Sequence, residues 1–251
     1  MISVIVCSID PVRYAAVEAT YRAAIGNEPW ELIGIHDARS LAEGYTRGVA
    51  RAQGETIILS HDDVEILSPD LPRRLRSHLE HFDLIGVAGT TRLCDGRWIS
   101  AGPPYIFGQI CHFQPDRRTV AVDIYNAPRR VIENIQALDG VFMAARRAVF
   151  DKVAFDAATF DGFHLYDLDF TFTAYQAGLR LAVVNDINLL HLSPGKLDEV
   201  WKGYVRLFET KWRGRLHPSP TTWHQWTGTV VRSRLHALEV MNPPYWENEP
   251  R

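Results

Sequence analysis

Three short apolar runs, Ile2–Cys7, Trp30–Ile35 and residues 56–59, alternate with two stretches of helical character at the start of the chain. No other feature restricts the fold as strongly. The first run is rich in β-branched residues (Ile2, Val4, Ile5, Val6), as a buried strand is. Asp10-Pro11 opens a helix, with Asp as N-cap and Pro at the first helical position. That helix is predicted to end near Gly26-Asn27. Ser40-Leu41-Ala42-Glu43 fits a capping box in which Ser40 caps and Glu43 reaches back. The second helix is then predicted to bury Leu41, Tyr45 and Val49 and to stop near Gly54. Strand, helix, strand, helix, strand in this order implies a parallel sheet with right-handed crossovers, hence the α/β class.

Further along, residues 71–81 read as a helix and 84–88 as a strand. Residues 90–131 are richer in Gly, Pro and aromatics and read as loops and short antiparallel strands. Residues 135–145 form a strand broken by Asp139-Gly140. Residues 166–179 read as a helix with Leu168, Phe172, Tyr175 and Leu179 on one face. Leu181–Val184 and residues 188–191 are two more strands. A last helix begins around Leu197-Asp198 and carries Trp201, Tyr204 and Phe208. The tail holds Trp223, Trp226, Tyr245 and Trp246, broken by Pro218, Pro220, Pro243 and Pro244. The expected organisation is one domain over residues 1–216 and a Trp/Pro-rich extension over 217–251 that packs on it, since Trp is most often largely buried.

Composition removes several classes of function. A formal net charge of -3 leaves no basic footprint for nucleic acid. Three cysteines, Cys7, Cys94 and Cys111, are odd in number and have no C-x-x-C spacing, against both a disulfide framework and a zinc-thiolate site. The N-terminus lacks the charged lead of a signal peptide, and no apolar stretch reaches the roughly 20 residues of a bilayer span. A cytoplasmic location is expected, with contact to a membrane surface and homo-oligomer formation left open.

The chemistry gathers around carboxylates. His61-Asp62-Asp63-Val64 follows the third apolar run, where a strand leaves the sheet and open α/β folds bind ligands. Two adjacent acids repel each other, and a divalent cation relieves that repulsion. Asp62 either caps the next segment or binds a ribose. Asp167 and Asp169 lie two apart on a helix, about 200° of rotation, so they face different ways and do not form an acid–base couple. Asp139-Gly140 is either a turn or a close backbone approach. His191, in Leu189-Leu190-His191-Leu192, is either a core histidine or a ligand. A site of Asp oxygen and His nitrogen suits Mn²⁺ better than Mg²⁺. Lys196, Lys202, Lys211, Arg213 and Arg215 form a basic stretch that either faces solvent or closes over a diphosphate, hinged at Ser193-Pro194-Gly195.

In this order the residues resemble a GT-A glycosyltransferase of the family-2 type. Ser40-Leu41-Ala42-Glu43-Gly44-Tyr45-Thr46-Arg47-Gly48 and His61-Asp62-Asp63-Val64-Glu65-Ile66 are similar to a bacterial subgroup of it. So are Leu138-Asp139-Gly140-Val141-Phe142-Met143 and Asp161-Gly162-Phe163-His164-Leu165-Tyr166-Asp167-Leu168-Asp169-Phe170, followed by His191. The resemblance covers roughly residues 1–195. It implies a GT-A fold with a mostly parallel open sheet flanked by helices, a UDP-sugar donor and Mn²⁺ or Mg²⁺. Asp37 is then the residue that contacts the base, in a pocket lined by Ser8 and Ile9, and Asp139 contacts the sugar. Asp63 matches the final Asp of the D-x-D motif, a metal ligand, and His191 a late metal-binding His. Asp167 matches the catalytic base of inverting members. His61 departs from the family at the first motif position, where Asp is usual, which puts direct ribose or second-metal contact there in doubt. The acceptor is left open among glycans, lipid-linked glycans and small molecules. One rival is a nucleotidyltransferase, disfavoured because Ser8-Ile9-Asp10-Pro11 lacks that family's glycine-rich loop. The other is a nucleotide-binding protein of the same fold without turnover.

Overall fold

A computed structural model describes residues 1–113, 119–193, 197–219, 229–243 and 246. The first half of the chain forms β1 (Ile2–Cys7), α1 (Pro11–Ile25), β2 (Trp30–Ile35), α2 (Leu41–Arg51), β3 (Thr56–Ser60), β4 (Val64–Ile66), α3 (Leu71–Leu79), β5 (Leu84–Gly86), β6 (Ala88–Thr90) and β7 (Ile106–Phe113). It continues with β8 (Val120–Asn126), β9 (Val131–Ile132), β10 (Ala137–Leu138), β11 (Phe142–Arg146), α4 (Tyr166–Gln176), β12 (Leu181–Val184), β13 (Leu189–His191), α5 (Glu199–Lys211), β14 (Thr229–Val231) and α6 (Arg234–Met241).

The first sheet has the order β2-β1-β3-β11-β5-β12-β9. Its β2-β1-β3 segment and its β5-β12 pair are parallel. β11 runs antiparallel between β3 and β5. A second sheet, β10-β6-β7-β13-β4, is extended by β8 on β7 and by β14 on β8. All its pairings are antiparallel except β7 with β13.

Period-two alternation in the first sheet builds two cores. Val4, Val6, Ile58, Ala144 and Ala182 face one apolar layer, shared with α1, α3 and the second sheet. Ile5, Ile57, Leu59, Met143 and Val183 face the other, shared with α2. α4 contributes to both, with Leu168 and Phe172 in the first and Tyr166, Phe170 and Ala174 in the second. A helix wedged between two layers is apolar nearly all round, so the expected single face on α4 is corrected. Leu179 lies beyond the helix end at Gln176.

Other corrections have similar causes. α2 buries Ala42, Gly44, Tyr45 and Gly48, whereas Leu41 and Val49 are only half-buried. Its backbone lies directly on β1: a Cβ at Gly48 would sit 2.2 Å from Cγ2 of Ile5. Close approach selects small residues, which a search for large apolar side chains passes over. Ser40 caps α2 through the Glu43 amide, but Glu43 accepts from the Arg39 amide instead of the Ser40 amide. The strand expected at 84–88 is split between β5 and β6, and the one at 135–145 between β10 and β11. In each case the chain passes from one sheet to the other, and both sides of the break are buried. Residues 90–131 contain a long hairpin, β7 with β8, where short strands were expected. No helix among the described residues is long and apolar enough to cross a membrane.

Candidate active site

The end of β1 and the turn after β3 meet at one edge of the first sheet. Ser8 Oγ donates to Asp62 Oδ2 at 2.6 Å, and Nη1 of Arg13 lies 3.7 Å from Asp62 Oδ1. The Ser8 carbonyl is 2.8 Å from Nδ1 of His36, which donates to it because a carbonyl only accepts. Asp37, next in the chain, is 78% exposed in its side chain and carries Arg47 on both carboxylate oxygens, at 2.8 and 3.3 Å. The Arg47 hydrogen bonds hold the Asp37 carboxyl below the usual range. Ile9 is exposed. The structure therefore joins Ser8 directly to Asp62 and leaves Asp37 and Ile9 facing solvent. Arg13 was missed in the sequence. Its signal was its position, one turn into the helix that begins just after the first strand.

One residue further on, the surroundings change. Asp63 is buried, and it accepts a short hydrogen bond from Ser193 Oγ. Nε2 of His191 lies 3.2 Å from Asp63 Oδ1. The antiparallel ladder of β13 on β4 places them, with His191 opposite Val64 and the Leu192 amide bonded to the Asp63 carbonyl at 2.9 Å. His61 completes the group, its Nδ1 being 3.4 Å from His191 Nε2 and 3.9 Å from Asp63 Oδ1. Burial alone would push the Asp63 carboxyl up, but the hydrogen bonds from His191 and Ser193 outweigh it and hold the pKa well down. Burial, and then the neighbouring His191, push the His61 imidazole down. Both directions keep ligands in the form a cation needs.

Separations of 3.2 to 3.9 Å are those of neighbouring ligands sharing one ion at bond lengths of about 2.1 Å. Two imidazole nitrogens and one carboxylate oxygen favour Mn²⁺ or a later metal over Mg²⁺. The three residues fit such an ion. His61 thus lies within reach of the other two candidate ligands, although it departs from the usual Asp at that position. His112 on β7 also went unnoticed. It lies opposite His191 in register, with ring centroids 5.7 Å apart, and its Nε2 is 3.6 Å from Asp123.

Asp139-Gly140 is a close approach. Asp139 accepts from the Val141 amide and from Nε1 of Trp98, both at 2.9 Å. The Gly140 amide donates to Asp167 Oδ2 at 2.8 Å. A Cβ on Gly140 would lie 2.4 Å from the Tyr166 hydroxyl and 2.7 Å from Cβ of Asp167, so no larger residue fits. Burial, followed by the negative charge of Asp139, pushes the Asp167 carboxyl up to about 7. Asp169 faces away, as the helical rotation required. It is buried and bonded to Lys211 Nζ and Trp212 Nε1, both at 2.8 Å.

The basic stretch divides accordingly. Lys202 pairs with Glu199, Lys211 with Asp156 and Asp169, and Arg215 with Gln176. Lys196, Pro194 and Gly195 lie outside the described residues, as do Trp223, Trp226 and Tyr245 of the tail. Trp246 is buried, and its carbonyl accepts from Arg130 at 3.1 Å.

Residues 3–206 match the family model described as a glycosyltransferase like family. Among solved structures, the mannosyltransferase PcManGT of Pyrobaculum calidifontis, in complex with GDP-Man and Mn²⁺, is similar with a TM-score of 0.50 and 11% identity. That match covers 96% of this chain and 69% of the other. S. aureus TarS 1-349 in complex with UDP is similar with a TM-score of 0.49 and 13% identity, over 86% of this chain and 67% of that one. No curated protein matches the sequence.

Proposed function

The chain belongs to the glycosyltransferase-like family, with a GT-A fold, and on that premise we propose that it moves a sugar from a UDP-sugar to a hydroxyl acceptor with inversion. One observation carries the reading. A three-residue cation group and a carboxylate with a pKa of about 7 share the two ends of Gly140 and Tyr166, beside the edge that holds Ser8 and Asp62.

Each residue then has a part. Asp37 accepts from the uracil N–H, and Ser8 and Ile9 line that pocket. Asp62 takes the ribose, and each oxygen of Asp139 keeps a lone pair for a sugar hydroxyl. Asp63, His191 and His61 hold the divalent cation. When bound, the cation supplies positive charge against the leaving diphosphate. Asp167 takes the proton of the acceptor hydroxyl as that oxygen attacks the anomeric carbon. A base with a pKa near 7 is half ionised at neutral pH and is basic enough for that task. The acceptor belongs to the glycans, lipid-linked glycans or small hydroxyl compounds. Of the proposed extension, residues 217–251, the described parts pack on the domain of residues 1–216, β14 on β8 and the Trp246 carbonyl on Arg130.

Calorimetry of UDP tests the donor and ion parts together. UDP should bind more tightly with Mn²⁺ than in EDTA, and Asp63→Ala should abolish the difference. Equal affinity in the two buffers would refute the metal-dependent reading.

A further inference from the structure

His61 can ligate a cation through Nδ1 only if that nitrogen is free of its proton. The proton of a neutral imidazole must then sit on Nε2, where an acceptor has to meet it. The group beside Nε2 is the hydroxyl of Tyr166, at 3.0 Å. A phenol both donates and accepts, so its own proton must be committed elsewhere. The Gly140 carbonyl lies 3.4 Å from the same oxygen and can only accept. The neighbouring Tyr45 hydroxyl spends its own proton on the Ser60 carbonyl at 3.0 Å, so towards Tyr166, with which it is hydrogen-bonded, its oxygen is a second acceptor.

We infer that Tyr166 is a positioning residue for the cation: it takes the Nε2 proton of His61, fixes the imidazole in the Nδ1-ligating tautomer and passes the constraint to the Gly140 carbonyl. The inference rests on the cation reading given above. It adds a residue that the ligand motif does not contain. Tyr166, the first residue of α4, is buried, with the rings of Tyr45 and Phe155 packed beside it at centroid distances of 5.6 and 6.4 Å, so its hydroxyl does not wander. The arrangement also has a consequence for the base. The Gly140 carbonyl faces the Tyr166 hydroxyl while the Gly140 amide holds Asp167. One residue thus anchors both the orienter of a metal ligand and the catalytic carboxylate. Removal of a hydrogen-bonding partner behind a metal-bound His typically costs 10- to 100-fold in metal affinity.

The test uses the full chain and Mn²⁺ alone as probe. Titration followed by electron paramagnetic resonance compares the parent, Tyr166→Phe and His61→Ala. Tyr166→Phe should weaken Mn²⁺ about 10- to 100-fold, and His61→Ala at least as much. Long-range ¹⁵N spectra of the unaltered protein should show His61 protonated at Nε2, and Tyr166→Phe should shift it to a tautomer mixture. That signature does not follow from a packing defect, and the parent spectrum needs no variant to fold. Tyr166→Phe binding Mn²⁺ like the parent, while His61→Ala binds poorly, would overturn the inference and leave the cation reading standing. A proton on Nδ1 in the parent would overturn it as well. Absence of Mn²⁺ binding by the parent would remove the cation reading and this inference together.

Discussion

Asp37 and Asp167 are the same chemical group placed at the same side of the molecule, and the structure treats them in opposite ways. Asp37 stands in solvent against Arg47, and its carboxyl is held down. Asp167 is withdrawn from water near a second carboxylate, Asp139, and its carboxyl is pushed up to about 7. The exposed Asp37 carries a charge that water already solvates, so it costs little folding free energy, whereas Ser8 is buried and Asp62 largely covered beside it. Asp63 and Asp167 are taken out of water, which costs stability, and their partners then move the two carboxyls in opposite directions, Asp63 down and Asp167 up. Perturbed carboxylates by themselves also occur in structural networks, and Asp169 is one. What separates Asp167 from it is its place, bonded to the Gly140 amide and next to Tyr166, which reaches His61 of the His61, Asp63 and His191 cluster.

The sharpest way to break this contrast is Asp167→Asn. The variant keeps shape and loses the basic carboxylate. Transfer should fall roughly 10²- to 10⁴-fold, with UDP affinity and fold nearly unchanged. Undiminished transfer would reject Asp167 as base and level the two regions. Because the acceptor is open, the assay begins from a screen of sugars and lipid-linked glycans.

Next in size is Lys211→Met, which strips the cation from buried Asp169 without touching either region. Loss of one partner of a buried pair costs about 3 kcal/mol. Urea unfolding should show it, with UDP affinity per folded molecule unaltered. An unchanged midpoint would mean that Trp212 alone satisfies the carboxylate.

A third measurement uses pH. Unfolded, the Asp167 carboxyl loses its proton near its ordinary value of 3.8; folded, it keeps it to about 7. Between those values the folded state binds more protons, so this group contributes a loss of stability as pH rises from about 4 to 7. Asp167→Asn should remove that contribution, so that its unfolding midpoint falls less than the parent's from pH 5 to pH 7. Transfer by the parent should rise through pH 7 as the base ionises. Parallel midpoints in parent and variant would show that burial does not perturb Asp167.

The smallest effect belongs to the exposed edge. Asp37→Ala should weaken UDP about tenfold, the loss of one charge-assisted hydrogen bond. The Mn²⁺ dependence should persist. A variant that binds UDP like its parent would place base recognition elsewhere on the edge.

Much of the fold could be read because its signals are local. Asp10 and Ser40 cap their helices as their sequence context requires, and the three opening strands have the expected bounds within one residue. The second sheet could not be read in this way. Its crossings at Val87 and at 139–141 join buried segment to buried segment, and apolar pattern does not distinguish one sheet from another. For the site, chain position relative to strands together with the family resemblance singled out Asp63 and His191, which the structure brings together. The places of His61, Arg13 and His112 depend on side-chain reach and strand register, neither of which has a sequence period. Asp169 was separated from Asp167 by helix geometry alone, but its partners, Lys211 and Trp212, lie over 40 residues away and left no local trace.

That last contact bears on how the molecule is made. A ribosome delivers β1 to β3 early, and they pair with near neighbours. The first sheet still has a gap until β11 arrives to lie between β3 and β5. α4, which carries Asp167, cannot settle cheaply until Lys211 and Trp212 have emerged to meet Asp169. The edge of Ser8 and Asp62 is therefore complete in chain order long before α4 has the partners that balance its buried carboxylate, and a chain released in between would carry Asp169 without its cation.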